Sequence, residues 1–305
     1  MFKETGELKF LIEFPEKEKV FESVTQATTI FLFKEGSSAS SFKLSVGLNK
    51  AVLPPEASAN ISWDEISTLF GEALTFPLIK SEIEFGIIKH VYDSSKPLSN
   101  FASCYQGDIN LTGSKDDLRN SPASNILVRG DHIAPFAVDL SLDKPDRRWI
   151  EMRNVPEVAE HRRIVCQNVA NMGLKQRIIA GSIPPGVIVG HSANCIDIFD
   201  NSIGFDTLLA ILNSRLMNWI FKKTSTNNHV NIYELETLPI KSFSKPDIKS
   251  IAEVVKKISE IRAKSQQGTS LFEEAMNLQL DLDGIIYKNY GIDLPAQAVI
   301  DADMN

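Results

Sequence analysis

Phe205, Leu208, Leu209, Leu212, Leu216, Trp219 and Ile220 recur at helical spacing, and a stripe of seven apolar side chains on one face must be buried against another element. Six consecutive hydrogen-bonding side chains follow it, Thr224, Ser225, Thr226, Asn227, Asn228 and His229, and then a short strand ending in Leu238-Pro239-Ile240. The pattern predicts a rigid helix, a polar loop held by scaffold at both ends, and a strand. Loops carried on such supports are where ligands are met. The six polar residues have two readings: they solvate a turn, or their amides and imidazole reach a ligand. Lys222 and Lys223, in the last helical turn, either offset the negative end of the helix dipole or contact an anion. Arg215 lies off the stripe.

The 305 residues suit about two domains of ordinary size. Apolar content of 43% and charged content of 23% are those of a globular protein. No apolar run approaches the roughly 20 residues that span a bilayer, and the N-terminus lacks a cationic start followed by an apolar segment, so a cytoplasmic chain without membrane contact is expected. Cys104, Cys166 and Cys195 are odd in number and show no Cys-x-x-Cys spacing. Buried reduced thiols are the expectation, with neither a disulfide nor a metal site. A net charge of −7 excludes a protein whose whole surface coats nucleic acid. The charge is nevertheless polarised. Residues 147–190 hold seven cations (Arg147, Arg148, Arg153, Arg162, Arg163, Lys175, Arg177) against three acids (Glu151, Glu157, Glu160), whereas residues 271–305 hold one cation, Lys288, against seven acids. A basic middle facing phosphate and an acidic tail facing away reconcile local nucleic-acid binding with an acidic total.

Residues 8–14 and 28–33 read as strands, with a turn or short helix over 15–22 and a linker over 36–41. Two strands cannot bury a core alone, so this end either packs on the rest of the chain or belongs to a larger domain. Residues 41–93 read as a connector with a Pro54-Pro55 break, a capped helix start at Ser62-Trp63-Asp64-Glu65 and a helix around 80–90. A strand with a Gly113 turn follows Cys104, and residues 125–133 read as a strand ending at Arg129-Gly130. Gly113 and Gly130 are expected to supply positive φ. An Arg at a strand end can form a two-pronged contact with guanine or phosphate. Residues 162–198 read as three strands of a mostly antiparallel, curved sheet, turned by Pro184-Pro185-Gly186. Pro246 opens a helix with Ile248, Ile251, Val254, Val255, Ile258 and Ile261 on one side. Ser270 and Glu273 have capping-box spacing for a last long helix that Gly291 ends.

Four of these segments together resemble the TaqI-like C-terminal specificity domain, the target-recognition part of adenine-N6 DNA methyltransferases and of fused type II restriction-modification enzymes. They are Leu-Leu-Ala-Ile-Leu-Asn-Ser at 208–214 with its polar loop and Leu-Pro-Ile, the strand and turn from Cys104, Asn-Ile-Leu-Val-Arg-Gly-Asp-His-Ile at 125–133, and Leu-Asp-Leu-Asp-Gly-Ile-Ile-Tyr-Lys-Asn-Tyr-Gly-Ile at 280–292. The resemblance covers residues 100–295 well and 8–36 weakly. It implies an α+β fold: a methyltransferase-like remnant and connector over 1–93, then over 94–305 a recognition domain whose sheet faces DNA and whose C-terminal helical pair braces it. It makes Arg147, Arg148, Arg153, Arg162, Arg163, Lys175, Arg177, Lys222 and Lys223 candidate phosphate contacts. Arg129, His191, Asn194, Asn227, Asn228 and His229 become candidates for the base edges, where an Asn amide can both donate to and accept from adenine. For any single cation the alternative is a solvated surface charge.

The two elements that make such an enzyme are missing from the sequence: a Gly-rich loop for S-adenosylmethionine, and an Asn/Asp-Pro-Pro-aromatic run for a flipped adenine. Pro184-Pro185 sits between Ile and Gly, and a nuclease pattern starting at Pro145-Asp146 lacks its Lys at Glu151-Met152-Arg153. The expectation is therefore a recognition module with no catalysis or cofactor of its own. Its partners would be double-stranded DNA and a catalytic methyltransferase half or subunit that holds S-adenosylmethionine. The alternatives are a specificity subunit of a multi-subunit restriction system, a protein–protein adaptor, and a hydrolase using Asp131, His132 or His191.

Overall fold

The computed structural model describes residues 6–23, 27–36, 39–49, 57–71, 75–120, 122, 125–141, 149–152, 154–264 and 269–304. The chain divides into two compact units, Met1–Ser94 with Lys222–Thr226, and Ser95–Phe221 with Asn227–Asn305.

In the first unit, strands β1 (Gly6–Phe14), β2 (Thr28–Glu35), β3 (Ser41–Ser45) and β4 (Ala59–Ser62) form one sheet in the order β2-β1-β3-β4. β1 and β3 run parallel and the other pairs antiparallel. The segment that reads as a connector thus supplies half of this sheet. Its strands are only four or five residues long, and their alternation, Ser-Phe-Lys-Leu-Ser in β3, buries Phe42 and Leu44, with Ile61 of β4 and Leu8 and Leu11 of β1 also in the core. Helix α1 (Trp63–Phe70) starts in the expected capping box: Ser62 Oγ accepts from the Glu65 amide at 3.1 Å, and Glu65 Oε2 accepts from the Ser62 amide at 3.1 Å. Trp63 packs against Phe42 and Phe76 at centroid separations of 5.1 and 5.9 Å. Helix α2 (Glu82–Asp93) follows, with Ser81 as its cap. Residues 37 and 38 of the expected linker, Pro54-Pro55 and Pro145-Asp146 lie outside the described residues.

The second unit contains β5 (Lys96–Pro97), β6 (Ala102–Gln106), β7 (Leu118–Arg119), β8 (Asn125–Val128), β9 (Ile133–Ala134), β10 (Ala137–Val138), β11 (Trp149–Ile150), β12 (Arg163–Gln167), β13 (Ala180–Ile183), β14 (Val187–Val189), β15 (Ala193–Ile198) and β16 (Pro239–Ile240). The α+β class with mostly antiparallel pairing and C-terminal helices is as the sequence implies. The strands divide between two four-stranded sheets, β13-β12-β15-β6 and β14-β8-β11-β7, with two-stranded pairs β10-β9 and β16-β5. β14 pairs with β8 in parallel. The run 187–198 is not one strand: the chain leaves β14 at Val189, turns through residues 190–192, and enters β15 of the other sheet. Val128, Val165, Ile183, Val187, Val189 and Cys195, drawn from both sheets, form one buried cluster. Gly130 does not supply a positive φ, nor does Gly113. A Cβ on Gly130 would lie 2.5 Å from the Ser192 carbonyl oxygen, so glycine is needed there for close backbone approach.

The helix expected over 205–220 is two helices, α3 (Phe205–Asn213) and α4 (Arg215–Thr224). Ser214 between them is extended, with ψ 154°, and its Oγ accepts from the Met217 amide at 3.1 Å. Asn213 links the end of its helix to the sheet: its Oδ1 accepts from the Ala180 amide at 3.1 Å and its Nδ2 donates to the carbonyls of Ala180 and of Leu209 in its own helix, both at 2.9 Å. Polar side chains that bond backbone in this way compete with the helix, while the apolar stripe stays in phase across the break. Leu208, Leu209, Leu212, Leu216, Trp219 and Ile220 are all fully buried.

Helix α5 (Ile232–Glu236), capped by Asn231 and Glu234, occupies most of the stretch that reads as a strand. Helices α6 (Lys245–Lys264), α7 (Thr269–Tyr290) and α8 (Leu294–Met304) close the chain. α6 buries Ile251, Val255 and Ile258, and α7 ends before Gly291 at φ +73°. The Ser270 cap lies outside the described side chains. α8 has no counterpart in the sequence reading. Asp283 of α7 accepts from the Arg215 amide at 2.8 Å, and Asp301 of α8 takes the Arg215 guanidinium and the Tyr287 hydroxyl at 3.1 and 3.0 Å. These bonds tie the start of α4 to the last two helices. No described helix is long and apolar enough to cross a membrane.

Candidate nucleic-acid interface

β6, β8, β12 and β14 end, and β15 begins, at the same end of the second unit, because β15 runs antiparallel to β6 and β12 while β8 and β14 run together. The segments leaving those strands are laced to one another. Ser192 Oγ accepts from the Gly130 amide at 3.0 Å and the Ser192 carbonyl from the Asn168 amide at 3.1 Å. The His191 amide donates to Ile109 at 3.0 Å, and the Gln106 side chain donates to the His191 carbonyl at 3.1 Å. The polar loop before α5 joins the same end. Val230 N donates to Asn168 O at 2.7 Å, Ala170 N to Asn228 O at 3.0 Å, and Met172 N to Asn228 Oδ1 at 3.0 Å.

Four of the candidates are thereby brought to one end: Arg129 and His191, half-buried, and Asn228 and His229, exposed. Gln106, Asn168 and Asn171, which are not among the candidates that the sequence offers, stand with them. Their only sequence signal is an amide at the end of an apolar strand or just after it. Lys175, exposed, lies further along the excursion between β12 and β13. Val169, Leu174 and Tyr233 are exposed apolar side chains of the same segments.

Several candidates have structural duties instead. Arg163 is 0% exposed. It donates to Asp108 through both terminal nitrogens at 2.6 and 3.1 Å, to the Tyr105 hydroxyl at 3.1 Å and to the Val187 carbonyl at 2.7 Å. Burial opposes its charge, but the Asp108 and Tyr105 bonds raise its pKa beyond the ordinary arginine value. A cation so enclosed cannot touch phosphate. Arg177 is also buried, stacked 4.7 Å from the Phe221 ring centroid and bonded to the Asn227 carbonyl; burial lowers its pKa against the pull of Glu234. Lys223 is buried in the first unit with Glu84 at 3.0 Å. Asn194 is fully buried and bonds Val230 O and Asn168.

Arg162 is exposed, 3.8 Å over the Phe205 ring centroid and 3.0 Å from Asp206, at the opposite end of β12. Asn227 is half-buried and donates to Tyr233 and Glu234, both at 3.2 Å. Lys222 is half-buried near the end of α4. Arg147, Arg148 and Arg153 lie outside the described residues. The acids and rings that engage Arg163, Arg177, Lys223 and Arg162 all lie distant in sequence, which a charge count along the chain does not register.

Of the residues that the hydrolase alternative would use, Asp131 and His132 lie 3.8 Å apart. His132 is 5% exposed and its Nδ1 accepts from the Arg129 amide at 3.2 Å, closing a turn. All three cysteines are buried and unbridged, and burial pushes their thiols up to about 12. Among the described residues no three His, Cys, Asp or Glu side chains are grouped to hold a metal.

Residues 126–240 match the family model of the TaqI-like C-terminal specificity domain. The match runs from β8 to β16 and so includes the loops 168–175 and 224–231. Among solved structures, the chain is similar to the type IIL restriction-modification enzyme MmeI in complex with DNA, at a TM-score of 0.52 and 13% identity over 98% of this chain and 46% of that one. Weaker likenesses are to a type I R-M system assembly (TM-score 0.38, 9% identity, 64% of this chain and 44% of that one) and to the HsdS subunit from Thermoanaerobacter tengcongensis (0.33, 10%, 70% and 52%). No curated protein matches. The chain spans about half the length of the solved structures it resembles. Over residues 126–240, then, this protein carries a TaqI-like C-terminal specificity domain.

Proposed function

We propose that the chain is the DNA sequence-recognition module of a restriction-modification system and that it reads double-stranded DNA with the strand-end face of its second unit. Arg129, His191, Asn228 and His229 address base edges there, and Lys175 addresses phosphate. The observation that carries this reading is the lacing of the two polar loops of the specificity domain into one end of the sheets, where their amides and imidazole are exposed on a rigid support. The first unit is then the closing part of a methyltransferase domain. A separate half or subunit supplies S-adenosylmethionine and the adenine-N6 chemistry of a type II enzyme, acting in the cytoplasm where its DNA lies. An acidic total of −7 makes binding by this chain alone weak and steeply salt-dependent.

The test reconstitutes the chain with its catalytic half and compares Arg129→Ala and Asn228→Ala on a panel of sites. The expected result is relaxed preference at one base pair, by about 1–3 kcal/mol, with overall affinity nearly retained. Uniform behaviour across all sites in both variants would overturn the assignment of this face. Calorimetry on the chain alone should show no uptake of S-adenosylmethionine.

A further inference from the structure

Resting on that reading, we infer that Asn168 is a positioning residue that fixes the proton of His229 on Nδ1, so that His229 offers DNA a hydrogen-bond acceptor and selects major-groove base edges carrying an exocyclic amino group.

The inference follows from a chain of bonds anchored on a backbone carbonyl. Val230 O can only accept, so the Asn194 atom 2.6 Å from it is the amide nitrogen, and Asn194, fully buried, must point its Oδ1 the other way. That oxygen is 3.1 Å from Asn168, whose nitrogen must therefore face it. The Asn168 oxygen is then left to face His229 Nδ1 at 2.9 Å, and an amide oxygen can only accept. The imidazole must carry its proton on Nδ1. In the neutral ring this leaves Nε2 with a lone pair and no proton, and Nε2 has no partner among the described residues.

Reversing either amide would set oxygen against oxygen inside the sheet, so the tautomer is inherited from the strand scaffold. The loop cannot drift out of this register, because Val230 N is bonded to Asn168 O at 2.7 Å and His229 bridges Val169. A solvated histidine ordinarily favours the Nε2–H form, so the relay inverts what the side chain would present. In the major groove an acceptor matches the N4 amino group of cytosine or the N6 amino group of adenine, while guanine and thymine present only acceptors at the corresponding positions.

Two measurements on the full chain test this. Long-range nitrogen NMR at about pH 8, where an ordinary imidazole is neutral, should show His229 as the Nδ1–H tautomer in the unaltered protein and largely as Nε2–H in Asn168→Ala. An Nε2–H ring in the unaltered protein overturns the inference without any variant having to fold. With the catalytic half added, Asn168→Ala and His229→Ala should each reduce discrimination at the same single base pair by about tenfold, within what one base contact supplies. The preferred base there should present an amino group in the major groove, as adenine and cytosine do. A preference for guanine or thymine at that position, abolished by His229→Ala, also overturns it. Should neither variant, nor Arg129→Ala nor Asn228→Ala, alter any preference while the Nδ1–H tautomer stands, it is the DNA-reading assignment of this face that has failed, and with it the selection.

Discussion

The two ends of β12 use polar side chains in opposite ways. At its start, Arg163 is enclosed with Asp108, and Arg162 just before it lies flat on Phe205 beside Asp206. Just past its end, Asn168 and the loops it holds present amides and imidazole. The end richer in formal charge is the one whose charge is engaged within the protein. Removing a guanidinium from water is so costly that it is found buried only with a partner already in place, and such a cation has nothing left for a ligand. An amide spends one donor or acceptor on the scaffold and keeps others, so it can be held rigidly and still bind. A local interface is better located by the unspent valences of held polar groups than by a count of cations.

The largest expected effect sharpens this contrast at the charged end. Arg163→Ala leaves Asp108 buried without its partner, and stability should fall by about 3–5 kcal/mol, read as a shift in the denaturant midpoint. Asp108→Ala should cost a similar amount, with the double variant costing clearly less than the two together. A loss below about 1 kcal/mol for Arg163→Ala, the level of an exposed pair, would mean that the guanidinium is available after all, and the contrast would break.

Asp283 extends it to an acid. Burial pushes its carboxyl from 3.8 up to about 7, against the pull of the Arg215 amide and guanidinium. Below about 3.8 the group is protonated folded or unfolded. Between there and about 7 the unfolded chain has lost a proton that the fold retains, so the fold binds more protons and its stability declines as pH rises. The decline ends above about 7. Asp283→Asn should remove that slope from denaturation measured between about pH 4 and 7. An unchanged slope would assign it to other groups.

On the β12–β13 excursion, Lys175 is exposed and lines a cavity with Arg215 and Gln279 of the helical part. Lys175→Ala should lower the magnitude of the salt slope of DNA binding by about one counterion and leave base preference intact. Loss of preference at one pair would move Lys175 from phosphate to a base edge.

Much of the fold was legible because it rests on local period: β1, β2, β8, β12 and the buried stripe of α3 and α4 all stand where apolar spacing places them. Elements of only four or five residues, or interrupted by one residue, were not. β3 and β4 are short, and Ser214 breaks a helix whose stripe continues in phase. The loop candidates Asn228 and His229 were legible as a polar run between rigid elements, and Arg129 as a strand end. Their partners were not. Asn168 lies 61 residues from His229, Gln106 lies 85 from His191, and Asp108 lies 55 from Arg163. Pairings over such separations follow from sheet order, which no local pattern encodes, and that is why Arg163 read as a phosphate contact.

The smallest effect is expected at Arg162, and it bears most directly on whether only one end of β12 meets DNA. Its guanidinium is half-exposed, its bond to Asp206 is 3.0 Å, and it covers the Phe205 ring. Exposed pairs of this kind contribute about 0–1 kcal/mol, and stacking on a ring adds at most about 1 kcal/mol at an exposed site. Arg162→Ala should therefore move the thermal midpoint by only a few degrees, on the order of what 1 kcal/mol does in a domain of this size. Binding should stay unchanged in both its salt slope and its order of preferred sites. Arg162→Lys retains the charge but not the planar stack, so it separates the two contributions: stability recovered by Lys points to the ion pair, and stability still lost points to the ring contact. A lower salt slope in Arg162→Ala that Lys restores would place phosphate at this end too, and DNA would then have to run along β12 rather than across its far end.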